Sequence, residues 1–225
     1  MELSQMCVQA VWDRDSPLRQ VPHFTPDVIE RCKARGIEDV FALGDTLPDL
    51  SDKERDALLQ MDKRQLADVA RFTNAFPYVE VSFEIEEQDA LSAGAPITLN
   101  VTLARDEDDE DDEEPADPTV VAPYYPNRKL CNWWLVVGDP GARTLLSIKR
   151  VTITKTLQTK LEFTLPKGVH SRLKLFLMSD SYLAADRELE LPALDVAEGE
   201  DSDEDSDESS AAASDDDEDT EMAEA

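Results

Sequence analysis

At Pro77 the apolar residues of this chain change their period from about 3.6 to 2, and that switch decides what it can fold into. Downstream, Val79, Val81, Phe83 and Ile85 alternate with Glu80, Ser82, Glu84 and Glu86, the pattern of a half-buried strand. Ile97, Leu99, Val101 and Leu103 repeat it, and Trp133 to Val137 resumes it. Leu145 to Ile153, the sets around Phe163 and Leu175, and a last segment at Leu189 to Leu194 predict further strands. About seven or eight short strands, separated by turn signals such as Asp139-Pro140-Gly141, predict an antiparallel β-sandwich of immunoglobulin-like type.

Upstream the pattern is helical. Thr25 as N-cap with Pro26 at the first helical position opens a helix through Val28, Ile29 and Cys32 that stops at Gly36. Ile37, Val40, Phe41 and Leu43 predict a short helix ending near Gly44, with a turn at Leu47-Pro48-Asp49-Leu50. Ser51 and Glu54 form a capping box before Ala57, Leu58, Leu59 and Met61, and Gln65 to Asn74 is a further helix. At the N-terminus, Leu3, Met6, Cys7, Ala10 and Val11 place one apolar stripe on a helix. Such a stripe needs cover, either from the next segment or from chain lying upstream of Met1; the second is the expectation. The class is therefore α+β, with short N-terminal helices preceding the sandwich.

The charge is concentrated in two places. Of 51 acidic residues, nine run unbroken from Asp106 to Glu114 and fifteen fall in the last 28 positions, and neither stretch holds a Lys or Arg. Without them 27 acids face 22 bases, so the formal −29 reduces to −5 for the body. Blocks of like charge repel themselves and bury nothing, which predicts a disordered acidic tail and a solvated insertion between strands. A loop insertion of that length adds little closure entropy.

No catalytic constellation stands out. The chain has no GxxxxGK[ST] phosphate loop, no GxSxG elbow and no HExxH. His23 follows a proline in a connector and His170 sits in a turn, so both read as structural or solvent-facing. Cys7, Cys32 and Cys131 are scattered, without metal-ligand spacing, and read as reduced thiols of an intracellular protein. The acidic runs lack the glycine and spacing of a calcium loop. No cofactor, metal or small-molecule substrate is expected, and no segment approaches the roughly 18 to 20 apolar residues of a membrane span.

The candidate contact residues are fewer. Trp133 and Trp134 are adjacent on a strand, so one indole enters the core and the other faces outward or lies beneath a loop. Either the pair is a core anchor with a covering aromatic, or the outward ring meets a protein partner. Lys149 and Arg150, with Lys155 and Lys160 near them, are candidates for weak RNA or acidic-partner contact, or else solvated edge charges. Ser202 and Ser214 each precede acidic residues and are candidate phosphorylation sites.

The wording of several stretches is more specific than their pattern. Leu3-Ser4-Gln5-Met6, Ser16-Pro17-Leu18, Val21-Pro22-His23-Phe24, Asp68-Val69-Ala70-Arg71-Phe72, Trp133-Trp134-Leu135-Val136-Val137-Gly138-Asp139, Leu146-Ser147-Ile148-Lys149-Arg150 and Met178-Ser179-Asp180-Ser181-Tyr182 together resemble the SEC-sixty-three homology module. Within that family the similarity is strongest to the branch closing the cassettes of large Ski-two-like spliceosomal RNA helicases. The resemblance implies a terminal helix of a truncated helical bundle at 1–22, a helix–loop–helix domain at 23–76, an immunoglobulin-like domain at 77–195 with its acidic insertion at 105–118, and an acidic tail at 196–225. It also implies a non-catalytic interaction and regulatory module of a U5 snRNP helicase that unwinds U4/U6 RNA. Its partners would be spliceosomal proteins and the rest of the helicase, and its location the nucleus. No ATPase activity transfers, because both helicase cores are absent, which makes the chain either a fragment or a free-standing module. Two other branches carry the module: an endoplasmic-reticulum protein-translocation component and a helicase of a transcriptional coactivator complex.

Overall fold

Capping chemistry sets the helix boundaries in the first third of the chain. The computed structural model describes residues 1–105 and 118–199. The Asp106–Glu114 run and the tail from 200 onward, with Ser202 and Ser214, lie outside the described residues. Five α-helices precede the strands: α1 (Glu2–Gln9), α2 (Pro26–Lys33), α3 (Val40–Asp49), α4 (Asp52–Leu59) and α5 (Lys63–Ala75). Thr25 caps α2 by accepting the Val28 N–H, and the chain leaves through Gly36 at φ +80°. The Ser51–Glu54 capping box opens α4, and Asp62 with Gln65 forms a second one on α5.

One expectation fails here: α3 does not stop at Gly44 or turn at Pro48; it runs through both to Asp49. Gly44 is a packing requirement rather than a stop, since a Cβ there would lie 2.6 Å from the Tyr78 hydroxyl oxygen. That hydroxyl donates to the Phe41 carbonyl at 3.1 Å. Pro48 falls in the last turn, where the loss of one N–H bond is small. α1 has its apolar stripe left largely uncovered by the following segments. Its inward residues are Gln5, Val8 and Gln9, while Leu3 is 75% exposed and Cys7 is exposed. Only Val11 of the expected stripe is buried. The helix is held by its amides rather than by its apolar side chains.

The strands fall in three antiparallel sets among the described residues. β1 (Val79–Ile85), β2 (Ile97–Arg105) and β5 (Thr156–Phe163) form one sheet in the order β1-β2-β5. β3 (Trp133–Asp139), β4 (Thr144–Val151), β7 (Lys174–Ser179) and β8 (Arg187–Glu190) form a second in the order β4-β3-β7-β8. β6 (Gly168–His170) and β9 (Leu194–Val196) make a short third pair. The strand expected across Leu189–Leu194 is thus split. Pro192 cannot donate to a ladder, so the chain leaves β7 there and β9 pairs elsewhere.

Alternation places Leu99, Val101 and Leu103 of one sheet and Trp133, Leu135, Leu175 and Leu177 of the other in one buried cluster. Phe72 and Phe76 of the helical part belong to the same cluster. Burying each such side chain contributes about 1.5–3 kcal/mol, and this shared core holds helices and sheets together. The result is an α+β fold.

Candidate protein-contact site

The register of β3, β4 and β7 decides which of the expected contact residues come together. Trp133 points inward and is 1% exposed, so it belongs to the core. Trp134 points the other way, opposite Arg150 on β4 and Met178 on β7. The Arg150 guanidinium carbon lies 5.5 Å from the Trp134 ring centroid, and its Nη2 reaches the Asp180 carboxylate at 3.1 Å. Lys149 is turned away from this pair: its Nζ donates to the Lys160 carbonyl at 3.3 Å. Lys160 in turn binds Glu86 at 2.6 Å. Trp134 and Arg150 therefore form one feature, and Lys149 joins a different one.

The face around Trp134 extends beyond the residues the sequence reading singled out. One step along the strands, Val136 lies opposite Ile148 on one side and Phe176 on the other. Trp134, Val136, Ile148, Phe176 and Met178 thus cover the outward side of three neighbouring strands, and none of them is part of the buried core. Ile148 is 45% exposed and the other four are half-buried. Antiparallel sheets with one solvated face normally carry polar residues there. Charge is confined to the border, in Arg150 and the Lys174–Glu188 ion pair. The signal for this face was available in the sequence. Trp133 to Val137 and Leu175 to Met178 are unbroken apolar runs rather than alternating ones, which marks strands apolar on both sides.

The loop after β7 joins the halves of the molecule. Asp180 sits at its start with a side chain 6% exposed and binds Lys129 Nζ at 2.8 Å, Arg150, and the Asn132 N–H at 3.1 Å. Burial pushes its carboxyl upward, but bonds from Lys129, Ser181 and Asn132 outweigh that and hold it below the ordinary aspartate range. α1 docks on the same loop: Ser4 Oγ donates to the Asp180 carbonyl, and the Gln5 and Gln9 amides donate to the carbonyls of Ser179 and Ser181. Gln20 makes a two-way bond with Leu183. Tyr182, 1% exposed, sets its ring edge-on to Phe72 and Phe76 and accepts the Val121 N–H at 2.9 Å. The residues Met178 to Tyr182, conspicuous in the sequence, are a joint between helices and sheets.

Asp186 behaves oppositely to Asp180. Burial pushes its carboxyl above the ordinary range, against bonds from the Ser179 N–H and the Gln5 amide. A carboxyl with a higher pKa folded than unfolded binds protons more tightly in the folded state, so stability falls as pH rises from the unfolded value through the folded one. Relative to Asp186→Asn, the parent should therefore lose stability as pH rises across that mildly acidic window. Urea midpoints of both proteins as a function of pH check this, and a difference that runs the other way contradicts it.

His23, read as structural or solvent-facing, is exposed and its Nε2 meets Asp68 at 2.9 Å; Asp68 also binds Arg71 at 3.1 Å, which accounts for part of the Asp68–Phe72 wording. Among the described residues no group of three or more His, Cys, Asp or Glu is placed to hold a metal, and no helix is long and apolar enough to cross a membrane.

Comparison with known proteins adds a family. The profile described as Sec63 Brl domain matches residues 1–192. Similar proteins include the "U5 small nuclear ribonucleoprotein 200 kDa helicase" of Homo sapiens, 41% identical over 204 residues, covering 90% of this chain and 9% of the relative. The "Pre-mRNA-splicing factor brr2" of Schizosaccharomyces pombe is 44% identical over 190 residues, covering 84% of this chain and 8% of that protein. The "DExH-box ATP-dependent RNA helicase DExH13" of Arabidopsis thaliana is 41% identical over 207 residues, at 90% and 9% coverage. The chain thus spans about a tenth of the length of these relatives.

Proposed function

The chain belongs to the Sec63 Brl domain family, and on that premise we propose that it is a non-catalytic protein-interaction module of a U5 snRNP helicase, working in the nucleus in pre-mRNA splicing. Its parts are a terminal helix at 1–22, a helix–loop–helix unit at 23–76 and an immunoglobulin-like sandwich at 77–195. Two sheets that share one core, with a short-stranded antiparallel order, support the last of these. ATP binding and unwinding belong to the helicase cores of such enzymes, and this chain carries no phosphate loop to perform them.

The observation that carries the interaction reading is the apolar outward face on β3, β4 and β7. Contiguous apolar surface on a solvated sheet marks a site for another protein, and aromatic anchors such as Trp134 dominate the energetics of such sites. RNA is a poorer occupant. Arg150 is tied to Asp180, Lys160 to Glu86, and Lys149 to a backbone carbonyl, so these cations already have partners within the fold. Two carboxylate-paired cations gain less from a phosphate than unpaired ones would.

Hydrogen–deuterium exchange of the chain added to purified U5 snRNP tests this reading. Slowed exchange is expected over 133–139, 144–151 and 174–179. Protection confined to other segments, or none, overturns it.

A further inference from the structure

A second surface lies on the opposite margin of the sheets. β1 pairs only with β2, and β8 only with β7, so each is the last strand of its sheet among the described residues. The two free edges border a common open groove of about 440 Å³. Val79 and Val81 of β1 and Leu189 of β8 supply its apolar lining, and Thr102 and Ala104 of β2 extend it. Glu80 stands exposed on the β1 wall, and Glu188, half-exposed although paired with Lys174, on the β8 wall. Glu84, four residues further along β1, and Glu190, two further along β8 and 3.9 Å from Lys174 Nζ, continue the two acidic rows and are exposed as well. The one cation in the lining, Arg187, lies over the Phe41 ring, with its guanidinium carbon 4.3 Å from the centroid.

Two unpaired strand edges offer backbone N–H and C=O groups to an added strand, and alternate pockets along such an edge read every second side chain. A strand laid here would set one side against Val79, Val81 and Leu189 and the other among carboxylates. We propose that the β1–β8 groove binds an extended protein segment in which apolar residues alternate with lysine or arginine. The charge excludes two other occupants. A second copy of this chain brings a formal −29 to an already acidic groove, and the chain's own acidic stretches would be repelled by it. The groove shares only Glu188 with the border of the Trp134 face, and Val79, Val81, Glu80 and Leu189 lie outside that face, so either surface can fail without the other.

The probe is a short, blocked peptide of alternating valine and lysine, titrated into the isotope-labelled full chain and followed by backbone amide shifts. Shifts are expected in β1 and β8, with none for a valine–glutamate peptide and little for a serine–lysine one. Glu80→Lys combined with Glu188→Lys should weaken binding by about tenfold or more while the remaining amide spectrum keeps its folded dispersion. Three results would each overturn the proposal: no shifts in β1 and β8, equal binding of the valine–glutamate peptide, or shifts confined to the acidic residues after 200. The exposed glutamates would then serve only to keep two sheet edges from pairing with other chains.

Discussion

Replacing Asp180 by alanine is expected to destabilise the protein by about 3–5 kcal/mol, the cost of stranding a buried charge partner. The carboxylate is almost fully enclosed, and Lys129, itself only 16% exposed, faces it at 2.8 Å. Without Asp180 the ammonium has no counterion, and the Asn132 N–H loses its acceptor. Arg150 adds little to the total, because it is 52% exposed and water screens that pair. The pH dependence has a definite sign. A carboxyl whose pKa is lower folded than unfolded contributes stability above the unfolded value, and that contribution is lost as pH falls through the folded one. The deficit of Asp180→Ala in urea denaturation should therefore be full at neutral pH and shrink in acid. A deficit below about 1 kcal/mol at neutral pH would mean that the pair is effectively solvated.

Tyr182→Ala is expected to cost a similar amount, about 3–5 kcal/mol, through the cavity left by a buried aromatic ring. Its ring centroid lies 6.0 Å from that of Phe72 and 5.2 Å from that of Phe76, so the loss falls where α5 meets the sheets. The helices should then melt ahead of the strands, giving two transitions by circular dichroism where the parent gives one. Tyr182→Phe keeps the ring and removes only the acceptor for the Val121 N–H, a loss of about 1 kcal/mol. Equal effects of the two substitutions would show that the hydroxyl, not the ring, joins the halves.

Much of this architecture was legible because local chemistry states it directly. Thr25-Pro26, the Ser51–Glu54 box and the period-2 rows at 79–85 and 97–103 each specify their element without help from distant residues. What misled was residue chemistry whose cause is tertiary. Gly44 carries a helix-stop signal, yet it is there to admit the Tyr78 hydroxyl, which a one-dimensional reading cannot see. The α1 stripe has helical spacing, but the face that docks is the one whose glutamines find carbonyls more than 170 residues away. Strand alternation alone shows that one of Trp133 and Trp134 faces outward but not which, and Arg150 stands out only as one of several cations near them. Phe176, Met178 and Ile148 complete the outward surface only once β7 and β4 are known to flank β3, and that order is not written in any local segment.

The outward face of β3, β4 and β7 is the proposed docking surface of this module. The most direct test is retention of purified U5 snRNP by the immobilised full chain, compared with the Trp134→Ser, Phe176→Ser double variant at matched folded fraction. Loss of two apolar anchors from the centre of a docking face should reduce retention by about tenfold or more. Undiminished retention by the folded double variant would place the docking surface elsewhere on the module.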